Sequence, residues 1–244
     1  MTDRFNLSRA INTELGFGSP DPIIVDDFDN DGSGDVAVAS PGGSKFQLGV
    51  YLNNGDQTFK EALVLNDVPK QDALASADLN GDGNADLVQV SSNNQSATVL
   101  FGDGTGAFPT RTQLSTTHNP KSVEIADMDG DGNRDLAIGT NNRGGVNVFL
   151  GDGQGDFTEA AGLVENVRRV NELAADDFNN DGLMDIVAHD TGRVGTVQLL
   201  AGDGQGGFTL TNSIDLTDGF SAARDLGIGD FDNDGNLDWA IAEL

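Results

Sequence analysis

The sequence predicts an all-β fold, a β-propeller of about five four-stranded blades in a single domain spanning 1–244. Three observations carry that prediction. A nine-residue acidic loop occurs five times, beginning at Asp27, Asp78, Asp127, Asp177 and Asp230. These starts lie 51, 49, 50 and 53 residues apart, and a period near fifty marks a repeat architecture. Each interval holds four short segments of strand character joined by turns rich in Gly, Asn and Asp. Four antiparallel strands per repeat, set around an axis, make a propeller blade.

Taken in order, the chain opens with a strand pattern at 4–11, where Phe5 is followed six residues later by Ile11. The same spacing recurs at Phe59 and Leu65, Phe108 and Leu114, Phe157 and Leu163, and Phe208 and Ile214. An even spacing puts both side chains on one face of a strand. An acidic loop starts 19 to 22 residues after each Phe. The segment just before a loop is often built of small residues, as in Ala73-Leu74-Ala75-Ser76-Ala77 and Leu173-Ala174-Ala175, which suits the crowding of an innermost strand. After the loops come apolar strands at 35–40, 86–90, 135–139, 185–188 and 238–242. Third strands follow at 48–52, 98–101, 146–150 and 197–200, then glycine-rich turns such as 102–107, 151–157 and 202–208. Turns of this chemistry join antiparallel strands. They precede no helix, so a phosphate-cradling loop is not the reading.

The loops carry the chemistry. The third reads Asp127-Met128-Asp129-Gly130-Asp131-Gly132-Asn133-Arg134-Asp135, with acids at positions one, three, five and nine. The sixth is glycine, where a tight turn needs positive φ. So many like charges in one loop repel unless a cation sits among them. Hard oxygen ligands at this spacing suit Ca²⁺. An EF-hand would need Glu at position twelve. That position holds Val38, Gln89, Ile138, Ala188 and Ile241, all in predicted strands.

Composition agrees. The net charge is −27, and the five loops hold 18 of the 40 acidic residues, so the acidity is local. That balance argues against nucleic acid or an anionic membrane as partner. The chain has no Cys, hence no disulfide or thiolate site, and no apolar run long enough to span a bilayer. The residues from Met1 form no signal peptide.

These loops, at this spacing, resemble the FG-GAP/VCBS repeats of integrin α-subunit propellers and of fungal and bacterial propeller lectins. The resemblance covers essentially the whole chain. It implies up to five structural Ca²⁺ ions, each in the loop between the first and second strands of a blade. The side-chain ligands it implies are Asp27, Asp29, Asp31 and Asp35; Asp78, Asn80, Asp82 and Asp86; Asp127, Asp129, Asp131 and Asp135; Asp177, Asn179, Asp181 and Asp185; and Asp230, Asp232, Asp234 and Asp238. The backbone carbonyls of Ser33, Asn84, Asn133, Leu183 and Asn236 complete the sets. Asn80 and Asn179 each remove one negative charge, so sites two and four are expected to bind more weakly. The family commonly closes seven blades, whereas five loops are present here. The 4–11 strand can complete the last blade, but that blade's third strand has no sequence. A three-stranded blade, a strand supplied by a second chain in a dimer, or a piece of a larger ring are the alternatives.

The opposite face is expected to be relatively basic. Its loops hold Lys45, Lys70, Lys121, Arg143, Arg168, Arg169, Arg193 and Arg224, together with His118 and His189 as exposed loop residues. An anionic glycan or an acidic protein segment is the partner such a face would take, since Arg pairs with carboxylate and sulfate through two donors. The five strand Phe and the loop residues Phe28, Phe178 and Phe231, with Trp239, are expected in the inter-blade core, which leaves few aromatics for stacking on sugars. No acid–base pair or nucleophile arrangement can be read. The expected function is a secreted or cell-surface binding and adhesion module without catalysis. A carbohydrate-binding lectin and an accessory propeller domain of a polysaccharide-active enzyme are the alternatives.

Overall fold

In each repeat, small and β-branched residues flank a loop whose own side chains hold it in a turn, so the chain folds back on itself at every loop. The computed structural model describes residues 22–42, 45–56, 58–60, 63–66, 68–141, 144–160, 164, 167, 169–190, 195–216, 225–232 and 234–242. All regular structure among them is β. Blade 1 comprises β1 (Ile23–Asp26), β2 (Asp35–Gly42), β3 (Lys45–Tyr51) and β4 (Leu63–Leu65). Blade 2 comprises β5 (Ala73–Ala77), β6 (Asp86–Ser91), β7 (Ser96–Phe101) and β8 (Thr110–Ser115). Blade 3 comprises β9 (Pro120–Ala126), β10 (Asp135–Thr140), β11 (Val146–Gly151) and β12 (Phe157–Glu159). Blade 4 comprises β13 (Val170–Asp176), β14 (Asp185–Asp190), β15 (Thr196–Gly202) and β16 (Phe208–Asp215). The fifth sheet pairs β17 (Asp225–Gly229) with β18 (Asp238–Ala242).

Each sheet is an antiparallel meander in sequence order. Register is fixed from the loops outward. The ninth loop residue always opens the second strand opposite the last residue of the first, as in Asp35 with Asp26, Asp86 with Ala77, and Asp135 with Ala126. The innermost strands stand side by side in the order β1, β5, β9, β13, β17.

Packing between blades follows from strand alternation. Ala37, Ala39 and Val50 of blade 1 meet Leu87 and Leu100 of blade 2. The other face of blade 2, through Val88, Val90 and Val99, meets Leu136, Ile138 and Phe149 of blade 3. Ala137, Val146 and Val148 then meet Ile186, Ala188 and Leu200 of blade 4. Both faces of every middle blade are therefore apolar, which explains why the second strands read as nearly continuous apolar runs. Each fully buried Leu or Ile contributes about 1.5–3 kcal/mol.

Some expectations shift. The strand at 4–11, and with it the completion of blade 5 by that segment, lies outside the described residues. Phe28 is buried as expected and meets Phe108 edge-on, with ring centroids 5.8 Å apart. Leu79 and Met128 take its place in loops two and three. Phe231, expected in the same core, is instead 59% exposed, because among the described residues the fifth sheet has two strands and no further blade beside it. Trp239 lines the cleft between blades 4 and 5 with Val187, Val197 and Leu199, in keeping with a packing role. His189 is not an exposed loop residue. It lies in β14, fully buried, because its alternation position points between blades.

Candidate metal centre

The acidic loops are organised by their own backbone. The first aspartate accepts the amide of the sixth residue in every loop: Gly32 to Asp27 at 2.9 Å, Gly83 to Asp78 at 2.9 Å, Gly132 to Asp127 at 2.9 Å, Gly182 to Asp177 at 2.8 Å and Gly235 to Asp230 at 3.0 Å. Those five glycines have φ between +83° and +89°. A Cβ on any of them would meet nothing within 4 Å, so backbone conformation alone demands glycine there. In loops one to four the fourth position is also left-handed, held by Asn30 (φ +57°), Gly81, Gly130 and Asn180 (φ +60°). Asn is the side chain that best tolerates that region.

The ninth aspartate does something the sequence did not disclose. Asp135 accepts two backbone amides, Met128 at 2.7 Å and Gly151 at 2.8 Å. Asp86 accepts Leu79 at 2.9 Å and Gly102 at 2.8 Å. Asp35 accepts Phe28 at 2.9 Å and Asn53 at 2.7 Å, and Asp185 accepts Phe178 at 3.1 Å and Gly202 at 3.0 Å. Each of these four aspartates thus ties its loop to the end of its blade's third strand. Gly102, Gly151 and Gly202 are needed for that approach: a Cβ would lie 2.3, 2.4 and 2.1 Å from the eighth-residue carbonyls of Ala85, Arg134 and Met184. From spacing alone these glycines belong only to the turn. Their recurrence just before each turn's aspartate was the available signal.

Asp35, Asp86, Asp135 and Asp185 have no exposed surface. Burial pushes Asp86 and Asp135 up to about 6, despite the two amides each accepts, and neighbouring loop carboxylates add to the rise. Burial raises Asp35 and Asp185 in the same direction. A nearby cation reverses such a shift.

The loops do not converge identically. Carboxylate oxygens of Asp27, Asp29 and Asp35 lie within 4.8 Å of one another, as do those of Asp127, Asp129 and Asp135. In loop five the corresponding trio is Asp230, Asp232 and Asp234, all exposed, without Asp238. The fifth-position Asp31 and Asp131 instead accept the seventh-residue amides, at 2.8 Å in both loops. Asn80 and Asn179 sit in the third positions of their loops, where Asn80 bonds Asp82 and Asn179 bonds Asp185. The donor set fits a hard cation, and one atom speaks for it directly. Asp29 Oδ1 is buried with no hydrogen-bond partner, and its side chain is only 10% exposed. A buried carboxylate oxygen left bare is costly unless something positive meets it.

Neighbouring loops touch. Asn30 donates to Asn84 at 2.7 Å, and Asn180 donates to Asn236 at 2.7 Å. In each case a fourth-position amide reaches the seventh-position side chain of the next blade's loop.

The opposite face is less free than its composition suggested. Lys70 and Lys121 both pair with Asp72, at 3.2 and 2.7 Å. Burial works to raise the Asp72 pKa, yet Lys121 and Ser92 hold it below the ordinary value. Arg169 is described, with φ +55°. Arg143, Arg168, Arg193 and Arg224 lie outside the described residues.

Successive four-stranded antiparallel meanders, each with the same acidic loop between its first and second strands, define a β-propeller repeat protein. Comparison with family models places it further. The FG-GAP-like repeat model matches residues 27–89, 78–138, 127–188 and 177–241, and the chain belongs to that family. A comparison with curated proteins gives no match. Among solved structures, a rhamnogalacturonan lyase from Bacillus licheniformis is similar at 15% identity and a TM-score of 0.42, over 83% of this chain and 49% of the lyase chain. This chain therefore spans about half the length of that structure.

Proposed function

We propose that this protein is a calcium-stabilised binding module acting outside the cell, and that its metal loops serve structure rather than catalysis. The observation that carries the reading is the convergence, in loops one and three, of a fully buried ninth aspartate with two further carboxylates, with Asp29 Oδ1 left bare. Calcium would supply the positive charge these loops lack. Its ligands would be the first, third, fifth and ninth side chains with the seventh carbonyl, from Asp27 through Asp238. Because the unfolded chain does not hold these groups together, binding free energy becomes folding free energy. Several structural sites of this kind suit the millimolar calcium found outside cells.

For the ligand we propose an anionic glycan or an acidic protein segment on the face opposite the loops. Lys70 and Lys121 are occupied by Asp72. The weight of this proposal therefore falls on Arg143, Arg168, Arg169, Arg193 and Arg224. A glycan array and an acidic-peptide array, each probed in calcium and in chelator, test the reading. Binding that requires calcium and weakens in the triple variant R168A/R169A/R224A is expected. An array profile unchanged by that variant removes the proposed face, and turnover of an acidic polysaccharide by this chain removes the non-catalytic reading.

A further inference from the structure

Loop one differs from the other loops in a way its own nine residues do not show. Lys60, 31 residues away from Asp29 in sequence, places its ammonium 2.7 Å from Asp29 Oδ2. The reach is set by ordered backbone. Asn53 bridges to Phe59, the Lys60 amide donates to the Leu52 carbonyl at 2.8 Å, and the Asn54 amide donates to the Thr58 carbonyl at 2.9 Å. The residue after the corresponding Phe in blades 2, 3 and 4 is Pro109, Thr158 or Thr209, none of which carries charge.

We propose that Lys60 is a built-in counter-ion of the first loop, which lets blade 1 close without calcium and makes its site weaker than its four aspartates imply. The inference rests on the calcium reading above. By side-chain count, loop one matches loops three and five, each with four aspartates. Adding the lysine changes the charge at its ligand positions from −4 to −3, the value of loops two and four with their third-position Asn; loop three also holds Arg134, but as an exposed residue at its eighth, non-ligand position. A cation entering loop one must displace the ammonium from Asp29 or settle beside a like charge. Either way it loses attraction that loops three and five retain. Oδ2 of Asp29 is taken by Lys60, while Oδ1 of the same carboxylate is buried without a hydrogen-bond partner.

The five sixth-position glycine amides, Gly32, Gly83, Gly132, Gly182 and Gly235, report each loop separately in a calcium titration followed by amide NMR. In the full chain the Gly32 midpoint is expected at higher calcium than that of Gly132. In Lys60→Met the Gly32 midpoint should fall about tenfold, equivalent to about 1.4 kcal/mol, while Gly132 stays put. Lys60→Arg, which keeps the charge, should leave Gly32 near the wild-type midpoint. A Gly32 midpoint that is the same in Lys60→Met and wild type, with the other loops still titrating, overturns the role of Lys60. If no glycine amide responds to calcium in any variant, the calcium reading itself fails and this inference goes with it.

Discussion

Replacing Asp135 by Ala tests the role of the ninth position most sharply. The substitution removes the acceptor for two buried amides, Met128 at 2.7 Å and Gly151 at 2.8 Å. Leaving a buried donor unsatisfied costs about 1–3 kcal/mol, so two of them cost about 2–6 kcal/mol. For a chain of this size each kcal/mol moves Tm by about 2–4 °C, so a fall on the order of 10 °C is expected. Asp135→Asn keeps one acceptor oxygen and should lose about half as much through these bonds. Urea unfolding in saturating calcium and in chelator separates the two contributions. The hydrogen-bond part persists without metal, while any excess loss in calcium measures the missing ligand. Asp135→Ala within about 1 kcal/mol of wild type in chelator would refute the reasoning, because the amides would then have found other partners.

Other consequences can be read in the same way. Gly132→Ala should destabilise by about 1–2 kcal/mol through φ +89° alone, and Gly151→Ala by more, because its Cβ would lie 2.4 Å from the Arg134 carbonyl oxygen although its φ is ordinary; thermal melts of the pair check the order. Burial pushes Glu124 on β9 up to about 7, so its folded form holds a proton that the unfolded chain releases near the ordinary 4.5. Its stabilising contribution is complete below 4.5 and is lost as pH rises to 7, about 3 kcal/mol at most, so Glu124→Gln should gain on wild type at pH 8 but not near pH 4. His189 is buried and its pKa is lowered by that burial. Its contribution is complete above about 6.5 and shrinks as pH falls below that value, so His189→Leu should flatten the acid side of the stability profile. Asn30→Gly removes the bond to Asn84 while keeping the left-handed turn, and a double-mutant cycle with Asn84→Ala should show coupling of about 0.5–1 kcal/mol.

The sequence made the repeat, the loops and the strand order legible because those signals are local. Positions one through nine of each loop bond mostly to one another, so their spacing carries the geometry. What stayed hidden was long-range. Asp29 meets Lys60 across 31 residues, and Asp72 meets Lys121 across 49. Those two pairings change the charge of an acidic loop and of the opposite face, and no spacing rule anticipates either. The role of the ninth aspartate was half legible. Its place in the loop was plain, but the amides of Asn53, Gly102, Gly151 and Gly202 approach it from the third strand, 16 to 18 residues on. Phe231 was misplaced for a related reason: its loop matches the others, but burial depends on a neighbouring blade rather than on the loop.

The most direct test is a calcium titration of metal-stripped protein by calorimetry, paired with thermal melts of the stripped and loaded forms. Saturation at several ions, and no more than five, is expected, with a clear rise in Tm. Each site filled at a hundred times its Kd should add about 2.7 kcal/mol. No calcium uptake, and one melting curve shared by both forms, would contradict the account.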